Sequence, residues 1–514
     1  MSIPIVAELG SFSTRLGHAG DDRPATVLPS CYGTGGGDGG GGGSASSGSP
    51  SRYFCSPARQ RSSPSKRQRL GSHSASRPRP DLRDYTFGSE GLLSFKEGSA
   101  PAAPGRSASV HKIHSLIEKG QVQDWGAVEA LWQSVLSRSP DNRGNGGGGS
   151  SGDVGLSISP VRSKNTLLTQ GGSFSAVPTP TASDISPVLL VEPMRHPRVE
   201  QQKMCELLFE TFQVPAISAI KSASAGVFAN GRTTGLALDM GHAWTTAVPV
   251  KDGFSDETRL FATELGGAVL TEAALEILRA QLRSTSTTTN PLDIERHIAS
   301  LSSSSNQAHS SQVLYKCRDV ARRWKQQFCF IAPSAGVAYE KSAASATFDL
   351  PDGTEVVVQP STWGAAVGDL LFDPSVENLT RTVADSVGVD AWTDSGKLAS
   401  ISRMDSIGKV LFQSLSHLTT DMRHTMLENL VLFGGSSVIP GMSTRLKNEL
   451  APLLPARAVV KIIETRPADR VMSSWIGGSL IGALPAFASS MCVSKQKYDE
   501  DGVDRVNLLQ EHFQ

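Results

Sequence analysis

Two stretches decide how this chain is read: IVAELGSFSTRLG, Ile5 to Gly17, and LALDMGHAWTTAVP, Leu236 to Pro249. In each, an apolar run ends in a carboxylate, Glu8 or Asp239. One residue later stands a glycine, Gly10 or Gly241, and a second run containing threonine follows. A tight turn between two strands aims several backbone N–H groups into one concavity, a nest that holds an anion without a cationic side chain. Glycine permits close backbone approach, and Ser11 adds a hydroxyl. A carboxylate at the strand end is placed to orient water around a magnesium ion bound to phosphates. One acid-x-Gly turn occurs by chance in many hairpins. Two of them, a domain's length apart and each after an apolar strand, suggest duplicated lobes that would clamp a nucleotide between their turns. A third glycine turn, Gly434-Gly435 with Ser436, would approach the same nucleotide.

The chain around these turns has 514 residues, enough for two lobes or more. Hydrophobic residues make up only 39%, but the deficit is local. Residues 35–43, 145–152 and 301–311 are glycine- or serine-rich tracts that cannot bury enough apolar surface to offset their ordering entropy, which predicts disordered insertions. Lys+Arg and Asp+Glu are both 49, so the molecule as a whole has no bulk attraction for nucleic acid. Cysteines 31, 55, 205, 317, 329 and 492 form no CxxC pair, which argues against a zinc site and for free thiols in a reducing compartment. His18, His196 and His242 show no metal-ligand spacing. No apolar run reaches a membrane span and no signal-peptide pattern follows Met1, so a soluble, intracellular protein without a membrane partner is expected.

Periodicity gives the order of elements. PVLLVEP (187–193) is a continuous apolar run and predicts a buried strand. RVEQQKMCELLFETF predicts a helix burying Met204, Leu207, Leu208 and Phe212, and Val128, Leu131, Trp132 and Val135 predict another. AISAIKSASAGVFANGR reads as a small-residue helix capped at Gly231, and a further helix is expected from about Thr271. YKCRDVARRWKQQFCFI predicts a helix with Val320, Trp324 and Phe328 inward and a solvated basic face. ATFDLPDGTEVVVQP predicts a hairpin turning at Asp352-Gly353. NLVLFGGSSVIPGM predicts strand, glycine turn and helix start, and Trp475 in SSWIGG is expected in the core. Strands alternating with helices indicate an α/β protein.

The ordered motifs GHAGDDRP, DWGAVEALW, PVLLVEP, KMCELLFETF, NGRTTGLALDMG, TAVPVKDGF, LVLFGGSSVIPGM, SSWIGGSLIGAL and SKQKYDEDG resemble the actin superfamily. The resemblance covers Ile5 to Ser30, Ser115 to Trp132 and nearly all of Pro187 to Phe513. It implies the actin-like fold of the heat-shock ATPases and sugar kinases: two lobes around a nucleotide cleft, with disordered insertions. The expected division is 1–30 as the start of the small lobe with the first turn, 31–84 as an insertion, 85–138 as the remainder of that lobe and 139–185 as a second insertion. Residues 186–424 carry the second turn and the large lobe, with a low-complexity loop at about 284–311, and 425–514 carry the third turn and the return to the small lobe. Phe12 in the first turn, FANGR (228–232), SSWIGG and YDEDGVDRV (498–506) look like the nuclear class called actin-related protein four. Its members are subunits of ATP-dependent chromatin remodellers and of a histone acetyltransferase complex. They bind a long helix of a scaffold or motor subunit, usually beside an actin monomer.

By that resemblance, ATP would contact Gly10, Ser11, Phe12 and Arg15, then Asp239, Gly241, His242, Ala243 and Trp244, then Gly267, Lys325, Gly434, Gly435 and Ser436. Magnesium would be reached indirectly, through water, by Glu8 and Asp239. The departures from the pattern are substantial. Glu8 replaces an aspartate, Leu9 an amide side chain, His242 and Ala243 an acid and a glycine, Gln326 a ribose-contacting glutamate and Val269 an aspartate. Ser222, beside Lys221, stands where a glutamine positions the attacking water, and a serine is too short for that task. The expectation is structural ATP binding with negligible turnover, or an empty cleft. Arg59, Arg61, Lys66, Arg67 and Arg69 form a basic cluster expected to direct nuclear import. The first insertion replaces the loop that grips a filament neighbour, so filaments are not expected. An apolar groove near 135–137 and 477–486 is expected to take an amphipathic scaffold helix, with actin, and histones or a nucleosome, as further partners. An assembling cytoskeletal ATPase and a phosphate-transferring kinase of the same superfold are the competing readings.

Overall fold

The computed structural model describes residues 3–35, 85–88, 111–136, 186–285, 294, 298, 310–334, 345–351, 353–375, 400–455 and 458–502. The two quoted stretches form two hairpins of one design. Ile5–Leu9 pairs antiparallel with Ser13–His18, and Gly235–Met240 pairs antiparallel with Thr245–Lys251. Both turns close by the same bond: Gly10 N–H donates to the Ser13 carbonyl at 3.1 Å, and Gly241 N–H to the Trp244 carbonyl at 2.9 Å. Glycine suits that closure, because a Cβ would clash at 2.9 Å with the Ser13 oxygen at Gly10 and crowd the Trp244 oxygen at 3.1 Å at Gly241. The leading strand of each hairpin then takes a parallel neighbour from further along the chain. Ile5–Leu9 is joined by Val188–Glu192, and Gly235–Met240 by Leu430–Phe433. Both added strands are buried at every position, as continuous apolar runs in parallel sheets should be.

Each hairpin nucleates one lobe. The first sheet runs Val493–Ser494, Ala216–Lys221, Val188–Glu192, Ile5–Leu9, Ser13–His18, Thr26–Pro29. The second runs Phe254–Ser255, Thr245–Lys251, Gly235–Met240, Leu430–Phe433, Ile462–Ile463, with Phe261–Thr263 also pairing to Thr245–Lys251. The first lobe's main core joins Leu190, Ile217 and Leu208 to Trp132 on the helix Trp125–Leu136. The second lobe's larger core packs the helices Gly267–Thr285 and Ser310–Phe328 and the hairpin of Ala346–Asp349 with Glu355–Val358 beneath its sheet. The expected two-lobed α/β architecture is what forms. Trp475 is fully buried and donates its indole N–H to the Val6 carbonyl at 3.2 Å, a core role.

Between the sheets lies the helix Ser222–Ala229, SASAGVFA, packed against the helix Ser473–Gly482. Small residues are what let these elements meet. A Cβ on Gly477 would lie 1.8 Å from the Ala225 carbonyl oxygen, and one on Gly226 would lie 2.4 Å from the Phe433 ring. Ala225 thereby joins a core with Val6, Leu189 and Trp475 of the first lobe. Its neighbours Ala223 and Val227 join one with Ala237, Val431 and Phe433 of the second.

Several expectations are corrected. Ala216–Lys221 is a strand, and only Ser222–Ala229 is helical; Ile217 and Ile220, three apart, mimic helical spacing in a strand buried on both faces. The helix expected across 198–212 is Arg198–Glu206 followed by a π-helical turn, Leu207–Thr211, which rotates the buried set to Met204, Cys205, Leu208 and Phe209 and leaves Leu207 and Phe212 at the edge. The helix expected from about Thr271 starts at Gly267. The first insertion begins later than residue 31: Cys31–Gly35 is a strand paired with His111–Ser115 and with Tyr85–Thr86, burying Cys31 and Tyr32. Inside the expected loop 284–311, Ile294 and Ile298 are buried in the second lobe's core, and the helix Ser310–Phe328 begins at its end. The insertion 139–185, the basic cluster Arg59–Arg69 and Ser137 lie outside the described residues. Among the described residues, no helix is long and apolar enough to cross a membrane, and Cys31, Cys205, Cys317, Cys329 and Cys492 are free thiols.

The close approach at Gly477 gives a stability test. Gly477→Ala should lower the unfolding free energy by about 1–3 kcal/mol in a urea titration. Gly408→Ala, on the helix Ile407–Ser416 where the nearest atom to a Cβ is 3.7 Å away, should raise it by roughly 0.5 kcal/mol.

Candidate functional site

The hairpin turns face each other across the gap between the lobes. The Phe12 and His242 rings lie 5.2 Å apart between centroids, and the Arg322 guanidinium sits over the Phe12 ring, 5.2 Å from its centroid. At the strand end of the first turn, Glu8 is held by Arg15 at 2.8 Å. The turn's base is tied down by Ser30, whose hydroxyl donates to the Gly10 carbonyl. At the strand end of the second turn, Asp239 accepts a hydrogen bond from the Ser222 hydroxyl at 3.2 Å.

The remaining expected residues gather around the second turn. Gly267 and Ala268 open a helix, and their N–H groups donate to the carbonyls of Gly241 and His242 at 3.0 and 2.8 Å. The Ser436 hydroxyl donates to the Gly241 carbonyl at 3.0 Å. Lys325 donates to the Gly267 carbonyl at 2.8 Å and to the Thr271 hydroxyl at 2.9 Å. Gly434 has φ +94°, and a Cβ there would stand 2.6 Å from the Met240 carbonyl and 2.8 Å from Asp239 Oδ1. Gly435 opens onto empty space, with nothing within 4 Å of a Cβ. Trp244 points away from this cluster and donates its indole N–H to the Lys119 carbonyl at 3.1 Å. Ser11 and Ala243 sit in the turns, partly exposed.

These contacts join three glycine turns and one lysine from four separate segments into a single cleft between duplicated hairpins. The profile of the family described as Actin matches residues 2–509. The chain belongs to the actin family.

In this actin-family cleft the two sides differ in what they could hold. A Cβ at Gly267 would sit 3.0 Å from Ser436 Oγ, 3.4 Å from Lys325 Nζ and 3.5 Å from His242 Nδ1. The missing side chain therefore lets three polar groups, Ser436 Oγ, Lys325 Nζ and His242 Nδ1, converge around Gly267. The carboxylate side does not fit direct metal coordination. Glu8 is occupied by Arg15, Asp239 by Ser222, and no group of three or more His, Cys, Asp or Glu placed to hold a metal occurs among the described residues. Contact through water is the arrangement these two carboxylates permit.

The basic helix is also corrected here. Its cationic face is not simply solvated: Lys325 and Arg322 turn into the cleft, Arg318 pairs with Glu272 at 2.6 Å, and Arg322 and Arg323 pair with Asp319. Sequence reasoning passed over Arg322, Thr271, Lys119 and Arg195. Lys119-Gly120 carried a usable signal, being a two-residue turn between Ile117–Glu118 and Gln121–Val122, with φ of 50° and 81° as a twisted hairpin turn requires.

Charge is tuned in opposite senses on the two sides. Burial, with the Glu8 carboxylate adding repulsion, pushes Asp239 up to about 7, against the lowering pull of Ser222 and Arg15. Burial, with Lys325, Arg318 and Arg322 adding repulsion, pulls His242 down to about 4, and burial takes Lys325 down to about 8. Folded Asp239 holds its proton more tightly than the unfolded chain between 3.8 and about 7, so its stabilising effect is full in acid and fades as pH rises through that window. For His242 the unfolded chain holds the extra proton between about 4 and 6.5, so stability grows as pH rises. The two trends oppose each other. Relative to wild type, Asp239→Asn should gain stability as pH rises from about 4.5 to 6.5, and His242→Gln should lose it, in urea midpoints measured without divalent cations.

Proposed function

We propose that this actin-family chain is a non-catalytic nuclear subunit of chromatin-remodelling and histone acetyltransferase complexes, supporting transcription regulation and DNA repair. In this role it holds an amphipathic helix of a scaffold or motor subunit beside an actin monomer and approaches histones on the nucleosome. The observation that carries the reading is Ser222. Water attack on a phosphate needs a side chain that reaches the water and orients it, and misplacement by an ångström is costly. Ser222 is short, buried, and uses its hydroxyl on Asp239. Its neighbour Lys221 faces Glu192 at 3.4 Å and Glu257 at 3.7 Å rather than the cleft. ATP, where it binds, would serve as a structural ligand held by the glycine turns, Ser436 and Lys325, with magnesium met through water by Glu8 and Asp239.

Helix binding is supported by Leu480 and Leu484, four residues apart on and just beyond the helix Ser473–Gly482, exposed by 52% and 45%. Such an apolar pair at one-turn spacing complements the i, i+4 anchors of an amphipathic helix. The basic cluster Arg59–Arg69 supports nuclear entry, and Phe12, 43% exposed in the first turn, supports the nuclear class by resemblance.

Purified protein given ATP and magnesium should release phosphate no faster than a buffer control, and should sediment as single molecules rather than fibres. Affinity capture from nuclear extract should recover remodeller or acetyltransferase subunits. Leu480→Asp with Leu484→Asp should weaken that capture by at least about tenfold, as loss of apolar anchors does. Brisk magnesium-dependent phosphate release, or ATP-dependent polymers, would instead establish the assembling ATPase.

A further inference from the structure

Besides forming one wall of the cleft, the second turn reaches across to the first lobe with two side chains. His242 meets Phe12, whose ring also receives Arg322. Two residues on, Trp244 makes a separate contact with the first lobe. Its indole N–H donates to the Lys119 carbonyl at 3.1 Å, and the Arg195 guanidinium lies 4.2 Å over its ring, inside the range of a strong cation–π contact. The acceptor is well held. Lys119 and Gly120 both have positive φ at the tip of a two-residue hairpin, which aims the carbonyl outward, and the Lys119 ammonium reaches Glu264 of the second lobe at 2.7 Å. A hairpin tip, a proline-flanked arginine and an aromatic from the first lobe thus all close on a four-residue turn of the second.

We propose that the turn Gly241–Trp244 is a clasp that holds the two lobes closed through protein contacts alone, whether or not the cleft contains a ligand. His242 meets Phe12, whereas Trp244 meets Lys119 and Arg195, so the turn grips the first lobe through two separate sets of residues. Trp244 is the stronger jaw, because it combines a directional hydrogen bond with stacking under a cation. The exposed Lys119–Glu264 pair adds little.

A second contact between the lobes supplies an independent reporter. The Ile113 N–H, on the outer edge of the strand His111–Ser115, donates to the Ser311 hydroxyl of the basic helix at 3.0 Å, and none of the clasp residues touches it. Lobe opening would break this bond, whereas mere loosening of the turn would not. Hydrogen–deuterium exchange of the full chain, stripped of nucleotide, should show a protected Ile113 amide in wild type. Trp244→Ala should speed its exchange about tenfold, the loss expected from one hydrogen bond and one cation–π contact. Trp244→Phe, which keeps the stacked ring and loses the N–H, should fall between, and Phe12→Ala should act in the same direction through the other jaw. Exchange that rises only within 241–246 in Trp244→Ala, or a wild-type Ile113 amide already as fast as in the variant, would overturn the proposal. A parallel series with ATP reports on the nucleotide reading by itself: no added protection from ATP would remove the nucleotide and leave the clasp standing.

Discussion

The close contact between Ala225 and Gly477 is the constraint on which the two-lobed arrangement depends. The helix Ser222–Ala229 has sheets or helices against it on every side, and a chain of alanine, serine and glycine is what allows backbone to approach backbone there. Because that helix adds residues to a core in each lobe, the position of one sheet sets the position of the other. The opposed turns inherit their spacing from this joint. Tight interior packing transmits small displacements rather than absorbing them, so the gap that separates Phe12 from His242 is governed by residues outside the cleft.

The hairpins were legible because their information is local. Glu8-x-Gly10 and Asp239-x-Gly241 specify a strand end and a turn within a few residues, and the buried strands Val188–Glu192 and Leu430–Phe433 announce themselves as unbroken apolar runs. Where two periods fit equally well, the reading failed: Ile217 and Ile220 satisfy helix and buried strand alike, and only the pairing of Ala216–Lys221 with Val188–Glu192 decides between them. A π-helical turn at Leu207–Thr211 leaves no local mark, since it arises from how Leu208 and Phe209 must reach the core. The glycine turns of the candidate site were visible. The contacts that join the lobes were not, because Lys119 meets Glu264 and Trp244 across chain separations of 145 and 125 residues.

Electrostatics in the cleft moves its two buried titratable groups in opposite directions. Burial, with the Glu8 carboxylate beside it, pushes Asp239 toward its neutral form, and burial, with three cations of one helix adding repulsion, keeps the His242 imidazole uncharged. Those cations, Arg318, Arg322 and Lys325, make this wall of the cleft locally positive.

The sheet of Cys31–Gly35 with Tyr85–Thr86 has a consequence for how this chain can change. Gly33 faces Thr86 and Thr34 faces Tyr85, so the two ends of the sequence between these strands are held side by side. Whatever length lies between is anchored at a fixed, narrow gate, and the entropy of closing it grows only with the logarithm of that length, roughly 0.6 kcal/mol per doubling. This doorway can therefore accept extra sequence, a graft or a trimmed version at little entropic cost, which makes it a natural place for an engineer to splice in a reporter.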